Sequence, residues 1–177
     1  MKKNRLFIAT SIDGYIARKD GSLDWLDAIP NPDNLDYGYY KFYDSIDTIL
    51  MGRKTYEEVL SFGVDWPYPD CKTYVVSQRA VDIKTENTYL MDGPFEKKVG
   101  ELRQEKGKDI WVVGGGVLIS SMLDLNLIDE MLITITPVIL GEGISLFPNA
   151  PRETKFELVD TESFKTGFVN LVYKKSD

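Results

Sequence analysis

Apolar positions along the chain fall alternately into short continuous runs and into stripes with a 3.6-residue period. Leu6-Phe7-Ile8-Ala9 is a short run closed by the turn signal Asp13-Gly14, the pattern of a buried strand. Residues 20–34 carry two Pro, one Gly and a succession of acids and Asn, interrupted by Trp25 and Leu26, which predicts a long loop with an apolar anchor. A helix is expected from Asp33, its N-cap, to about Ser45, with Leu35, Tyr39, Phe42 and Ile46 on one face. Residues 47–51 then read as a strand and Gly52 as the break. The helix expected over 54–60 has Thr55 and Glu58 spaced as a capping box. Strands at 73–76 and 110–113 alternate with helices at 94–105 and 117–125, and 128–136 is a long apolar strand stopped by Pro137. The tail differs, because 156–161 and 168–173 flank Lys165-Thr166-Gly167 as a hairpin would. Alternating strands and helices predict an α/β fold, a single domain over 1–177, with a mostly parallel central sheet, helices on both faces and an antiparallel C-terminal hairpin.

Composition narrows the chemistry. The 177 residues hold 21 Lys plus Arg against 28 Asp plus Glu, a net charge of −7, which argues against a nucleic-acid partner held by overall charge. With 43% hydrophobic residues the chain can build a sizeable core, and intrinsic disorder is not expected. There is no histidine and Cys71 is the single cysteine. This removes Ser/His/Asp and Cys/His nucleophile pairs, imidazole general bases, His-ligated metals and cysteine-based metal sites. One thiol also rules out an internal disulfide, consistent with a cytosolic protein. No stretch approaches the roughly 20 apolar residues that span a bilayer, so no membrane partner is expected.

Two strand-to-helix junctions stand where open α/β sheets bind ligands. At Met51-Gly52-Arg53-Lys54-Thr55, basic residues at a helix start are unfavourable by roughly 0.3–1 kcal/mol each unless an anion binds there. The alternative is that Thr55 caps the helix while Arg53 and Lys54 point to water. At Val113-Gly114-Gly115-Gly116-Val117, three glycines let the backbone approach a ligand closely, or simply make a tight turn. This is not a Rossmann fingerprint, since position 119 is Ile119. A third candidate is Ser77-Gln78-Arg79, a strand end whose hydroxyl and guanidinium can hold a phosphate. Asp36, Tyr39, Tyr40 and Tyr43 share one side of the expected helix, where an acid at the third helical position also favours the dipole.

In this order the segments resemble the dihydrofolate reductase superfamily, and within it the reductase domain of bacterial riboflavin-biosynthesis proteins. The match spans nearly the whole chain through Ser11-Ile12-Asp13-Gly14-Tyr15-Ile16-Ala17, Gly52-Arg53-Lys54-Thr55-Tyr56-Glu57, Val75-Val76-Ser77, Gly114-Gly115-Gly116, and Ile128-Asp129-Glu130 leading to Pro137-Val138-Ile139-Leu140-Gly141. The resemblance implies a dihydrofolate reductase-like three-layer fold and NADPH as cofactor. It implies that the triple glycine holds the pyrophosphate, that Arg53 and Thr55 reach the cofactor phosphates, and that Ser77 and Arg79 sit near the 2′-phosphate. Ala9, Ile16, Gly52, Lys54, Gln78, Val113 and Val117 complete the expected cofactor contacts. Trp25, Asp36 and Tyr40 are expected on the substrate side. Asp36 would bind the edge of a pyrimidine or pterin ring and, half-buried beside Tyr40 with a raised pKa, assist protonation. The implied reaction sends hydride from the nicotinamide to a C=N or C=O carbon of a small molecule.

The implied function resembles that of the reductase acting on 5-amino-6-(5-phosphoribosylamino)uracil. The alternatives are a dihydrofolate reductase and a catalytically silent nucleotide-binding protein. Where dihydrofolate reductases carry an Arg for the folate carboxylate, this chain has Cys71 followed by Lys72, and Leu23-Asp24-Trp25 replaces Leu-Pro-Trp. A homodimer is expected, with the 128–136 strand a candidate for pairing across a two-fold axis.

Overall fold

The computed structural model describes residues 1–149 and 151–176. The elements run β1 (Asn4–Thr10), β2 (Tyr15–Ala17), α1 (Asp24–Asp27), α2 (Tyr39–Tyr43), β3 (Ile46–Gly52), α3 (Arg53–Ser61), β4 (Lys72–Val76), β5 (Thr88–Met91), α4 (Phe95–Gln104), β6 (Asp109–Gly114), α5 (Gly116–Asp124), β7 (Glu130–Ile135), β8 (Ile144–Ser145), β9 (Phe156–Ser163) and β10 (Val169–Lys175). Eight strands form one sheet in the order β5-β4-β3-β6-β1-β7-β10-β9. The first six run parallel, and β10 and β9 join antiparallel. The mostly parallel sheet with its antiparallel C-terminal hairpin is therefore as expected.

Residues of the central strands alternate between two cores, as the period of two demands. Leu6, Leu50, Ile110 and Val112 pack with α4 and α5 on one face, while Phe7, Ile49, Met51 and Trp111 pack with α2 and α3 on the other. Burial on both faces explains why β3 and β6 read as continuous apolar runs rather than alternating ones. Among the described residues no helix is long and apolar enough to cross a membrane.

Four expectations need correction. The helix expected from Asp33 is only the five-residue α2, because Tyr37 (φ 52°) and Gly38 (φ 86°) sit in the left-handed region and stop it on its N-terminal side. Asp33 therefore caps nothing, and Asp36 precedes the helix instead of occupying its third position. The Thr55/Glu58 capping box does not form either. The helix begins one residue earlier than expected, at Arg53, with Gly52 as N-cap and no side-chain cap. The apolar 128–136 segment is no free edge, since β7 lies between β1 and β10, so it cannot pair across a two-fold axis. The edge there is β9, whose exposed Glu157, Asp160 and Glu162 discourage further strand pairing. Finally, β5 and the small β2–β8 pair lay outside the expected elements.

Candidate active site

The sheet order makes β3 and β6 neighbours, with Met51 opposite Gly114. Both strands turn directly into nine-residue helices, α3 and α5, from glycine N-caps that carry no side-chain cap. The two helix starts touch: a Cβ on Gly52 would stand 3.6 Å from the Gly115 amide nitrogen, and one on Gly115 would stand 3.3 Å from Thr55 Oγ1. Gly114 has φ 138°, a conformation side chains rarely adopt, and the Gly114–Gly115 peptide is cis. At Gly116 even one methyl group fails to fit, since it would lie 2.7 Å from Pro148 Cδ and from the Ser145 carbonyl oxygen. The first amides of each helix have no intrahelical acceptor, so two sets of free N–H groups and two positive dipole ends converge on one spot. That arrangement fits an anion with two linked phosphates, such as a dinucleotide pyrophosphate.

Around this cradle the expected cofactor residues take up varied states. Lys54 and Val117 are exposed, Val113 and Thr55 half-buried. Arg53 donates from its single nitrogen Nη1 to both Glu57 carboxylate oxygens, at 2.7 and 2.8 Å, so bringing that nitrogen to a phosphate requires it to turn away from Glu57. Ser77 closes a turn at the end of β4, its hydroxyl donating to the Arg79 carbonyl and accepting from the Arg79 amide. This leaves the exposed Gln78 and the Arg79 guanidinium at the strand's mouth. Ala9 lies near the end of β1 beside Thr134, and Ile16 packs against the α4/α5 core from β2.

The substrate side differs more from expectation. Trp25, on the short α1, is 3% exposed, so it does anchor the long loop. Its indole N–H is buried with no acceptor among the described residues. Asp36 and Tyr40 are not half-buried: Asp36 is exposed and Tyr40 is 69% exposed. Asp36 accepts hydrogen bonds from the Tyr40 and Gly38 amides, and these hold its carboxyl below the usual range rather than above it. In this geometry it caps α2 and keeps its charge. Lys72 heads β4, exposed, with Nζ 4.0 Å from Glu105. Cys71 is buried, and burial pushes its thiol pKa up.

Three features lay beyond sequence reasoning. Tyr37 stacks on Phe168 at 4.2 Å, and its carbonyl accepts from the buried Asn170 side chain, so the hairpin fixes the segment before α2. Asp13 accepts from the Ser11 hydroxyl and from the Leu140 and Gly141 amides, tying the β1–β2 turn to the 137–143 segment. Its carboxyl is held low mainly by the Ser11 hydroxyl. Glu58 meets Gly21 of the long loop, where a Cβ would be 3.2 Å from its Oε2. Asp13 stood within a quoted motif, whereas nothing local marked Tyr37 or Gly21.

A sheet with two uncapped glycine-led helix starts at its carboxyl end, and a long loop alongside, defines a dihydrofolate reductase-like domain. The chain belongs to the family of RibD C-terminal domains, whose profile matches residues 2–170. It is 39% identical over 163 residues to YwjB of Bacillus subtilis (strain 168), an uncharacterized protein, covering 92% of each chain. Among solved structures it superposes on a protein of Shewanella sp. PV-4, provisionally named for riboflavin biosynthesis, with a TM-score of 0.89, 36% identity and 99% coverage of both chains. The fold is also that of a dihydrofolate reductase from Enterococcus faecalis solved with NADP(H), with a TM-score of 0.71 at 19% identity over 99% of this chain and 97% of that one.

Proposed function

We propose that the protein is an NADPH-dependent reductase of the riboflavin type, transferring hydride to a pyrimidine- or pterin-type small molecule. The observation that carries this reading is the meeting of two uncapped helix starts at Gly52 and Gly115. The amides of Gly115, Gly116 and Val117 would hold the pyrophosphate, with Thr55 and Lys54 alongside and Arg53 once released from Glu57. Arg79 and Ser77 would meet the 2′-phosphate, giving NADPH its advantage over NADH. Ala9 and Ile16 would flank the reacting ring. When bound, the cofactor supplies hydride, and the protein's contribution is to hold donor and acceptor carbons at about 3–3.5 Å. Trp25 would anchor the loop on the substrate side, and Asp36, ionised near neutrality and engaged with the Tyr40 and Gly38 amides, does not donate the proton. The proton then comes from water at the exposed Tyr40 rim.

A folate substrate is disfavoured because, by the family resemblance, Cys71 takes the place of the arginine that would clamp its carboxylate, and Lys72 offers a point charge without the bidentate fork. The reading includes a homodimer, supported by the family resemblance, which light scattering on the purified protein would test. The test of the cofactor assignment is thermal unfolding with and without NADPH. At 100–1,000 times Kd, stabilisation of about 2.7–4.1 kcal/mol is expected, with a smaller gain from NADH at equal concentration. An unfolding curve unmoved by millimolar NADPH would end the reading. Binding without any NADPH oxidation on an aminouracil ribotide, a dihydropterin or dihydrofolate would favour the silent alternative.

A further inference from the structure

The glycine cradle carries an anion of its own. Arg53 is the first residue of α3, placed between Gly52 and Thr55, both of which border Gly115. Its Nη1 donates to the two carboxylate oxygens of Glu57, one helical turn further on, at 2.7 and 2.8 Å. The side chains are 30% and 50% exposed, and a pair so open to water is weak. It also runs against the helix dipole, with the cation toward the positive amino end and the anion toward the carboxyl end, the less favourable of the two orders. What the pair does provide is neutrality. The first turn of α3 holds Arg53 and Lys54 but no acid, so Glu57 neutralises an arginine that the helix start itself disfavours. A pyrophosphate on the Gly115 and Gly116 amides would do so more completely, because it brings two negative charges to the positive end of the dipole.

We propose that Glu57 is a built-in competitor for the cofactor phosphates, taking Arg53 back as the dinucleotide leaves and so shortening its bound lifetime. This rests on the reductase reading and adds to it how the cofactor is released. Binding exchanges the Arg53–Glu57 contact for one between Arg53 and phosphate, a change confined to two side chains, and Glu57 turns to solvent. Release runs the exchange in reverse, so departure of the cofactor does not strand a bare cation at the helix start. A carboxylate that aimed the guanidinium at phosphate would instead raise affinity, and one that only stabilised α3 would leave affinity alone. The sign of the effect therefore separates the three roles.

The test measures NADPH and NADH affinity by cofactor fluorescence, and dissociation rates by stopped flow, in wild type, Glu57→Gln, Arg53→Ala and the double variant. Glu57→Gln keeps the shape of the side chain and removes its charge. It is expected to bind NADPH about threefold to tenfold more tightly, through slower dissociation. NADH should gain by a similar factor, because the pyrophosphate is common to both cofactors. With Arg53→Ala in place, the same change at Glu57 should alter affinity by less than about twofold. Unchanged or weaker NADPH binding by Glu57→Gln overturns the proposal. So does a gain that survives Arg53→Ala, which would show repulsion through space in place of competition for the arginine. A wild type that binds no NADPH ends the reductase reading and the proposal with it, whereas normal wild-type binding with either contrary result removes the role of Glu57 alone.

Discussion

The two ends of the parallel strands are built on opposite plans. At the amino ends, charged side chains close on one another. Arg5 pairs with Glu130 at 2.6 Å, donates to Ser45 Oγ and covers the Phe42 ring at 4.8 Å. Arg103 binds Asp129, which also accepts from the Asn4 amide, while the buried Lys2 joins Asp47 and Thr48. At the carboxyl ends, glycines replace side chains and the helix starts of α3 and α5 keep their donors unspent. One end pairs its charged groups within the chain and so stabilises the fold, while the other leaves backbone donors to be satisfied by a ligand. Stability and binding are thus separated along the strands, which makes the separation open to attack from either side.

The largest effect is expected from Arg5→Ala, which strands the buried Glu130 carboxylate. Urea unfolding should show a loss of about 3–5 kcal/mol, while the NADPH affinity of the folded fraction stays at the wild-type value. A parallel fall in affinity would break the separation. Next comes Gly116→Ala, whose methyl group collides with Pro148 and the Ser145 carbonyl oxygen. A cost of about 1–3 kcal/mol is expected together with at least about tenfold weaker NADPH binding, and stability lost without affinity would mean that the α5 start is not the cradle.

A smaller effect is tied to pH. Burial raises the Asp47 pKa, but hydrogen bonds from Lys2, Thr48 and the Lys108 amide outweigh it and leave the carboxyl below its usual value. A carboxyl lowered in the folded state releases its proton more readily there than in the unfolded chain. Its contribution is therefore full above about pH 4 and disappears as pH falls through the lowered value. Asp47→Asn should accordingly be less stable than wild type at neutral pH, and the two curves should converge in acid. The smallest change is expected from Asp36→Asn: turnover within about twofold of wild type and a stability loss under about 1 kcal/mol, since the exposed side chain mainly caps α2. A large fall in turnover would restore to Asp36 the proton-handling role that its sequence position suggests.

What was legible in the sequence was what short-range pattern determines. Doubly buried strands such as β3 and β6 announce themselves as apolar runs, and the glycines at 52 and 114–116 mark the turns that create the cradle. The stretch around α2 misled because its apolar spacing is helical while its backbone is not. Tyr37 and Gly38 are held left-handed by partners more than a hundred residues away, Asn170 and Phe168, which no local pattern encodes. The same holds for Asp36, whose burial was inferred from a helix that does not extend to it. The four residues of β5 were missed because an edge strand of that length has too little alternation to register. Glu58 was read for its local spacing from Thr55, whereas its neighbour is Gly21, brought over it by the loop.

The most direct test of the central claim, that the carboxyl ends of β3 and β6 form a cofactor cradle, is a crystal structure of the protein with NADPH. The pyrophosphate is predicted within hydrogen-bond distance of the Gly115, Gly116 and Val117 amides, with the 2′-phosphate against Arg79. Cofactor density at any other place on the molecule, with those amides turned to solvent, would contradict it.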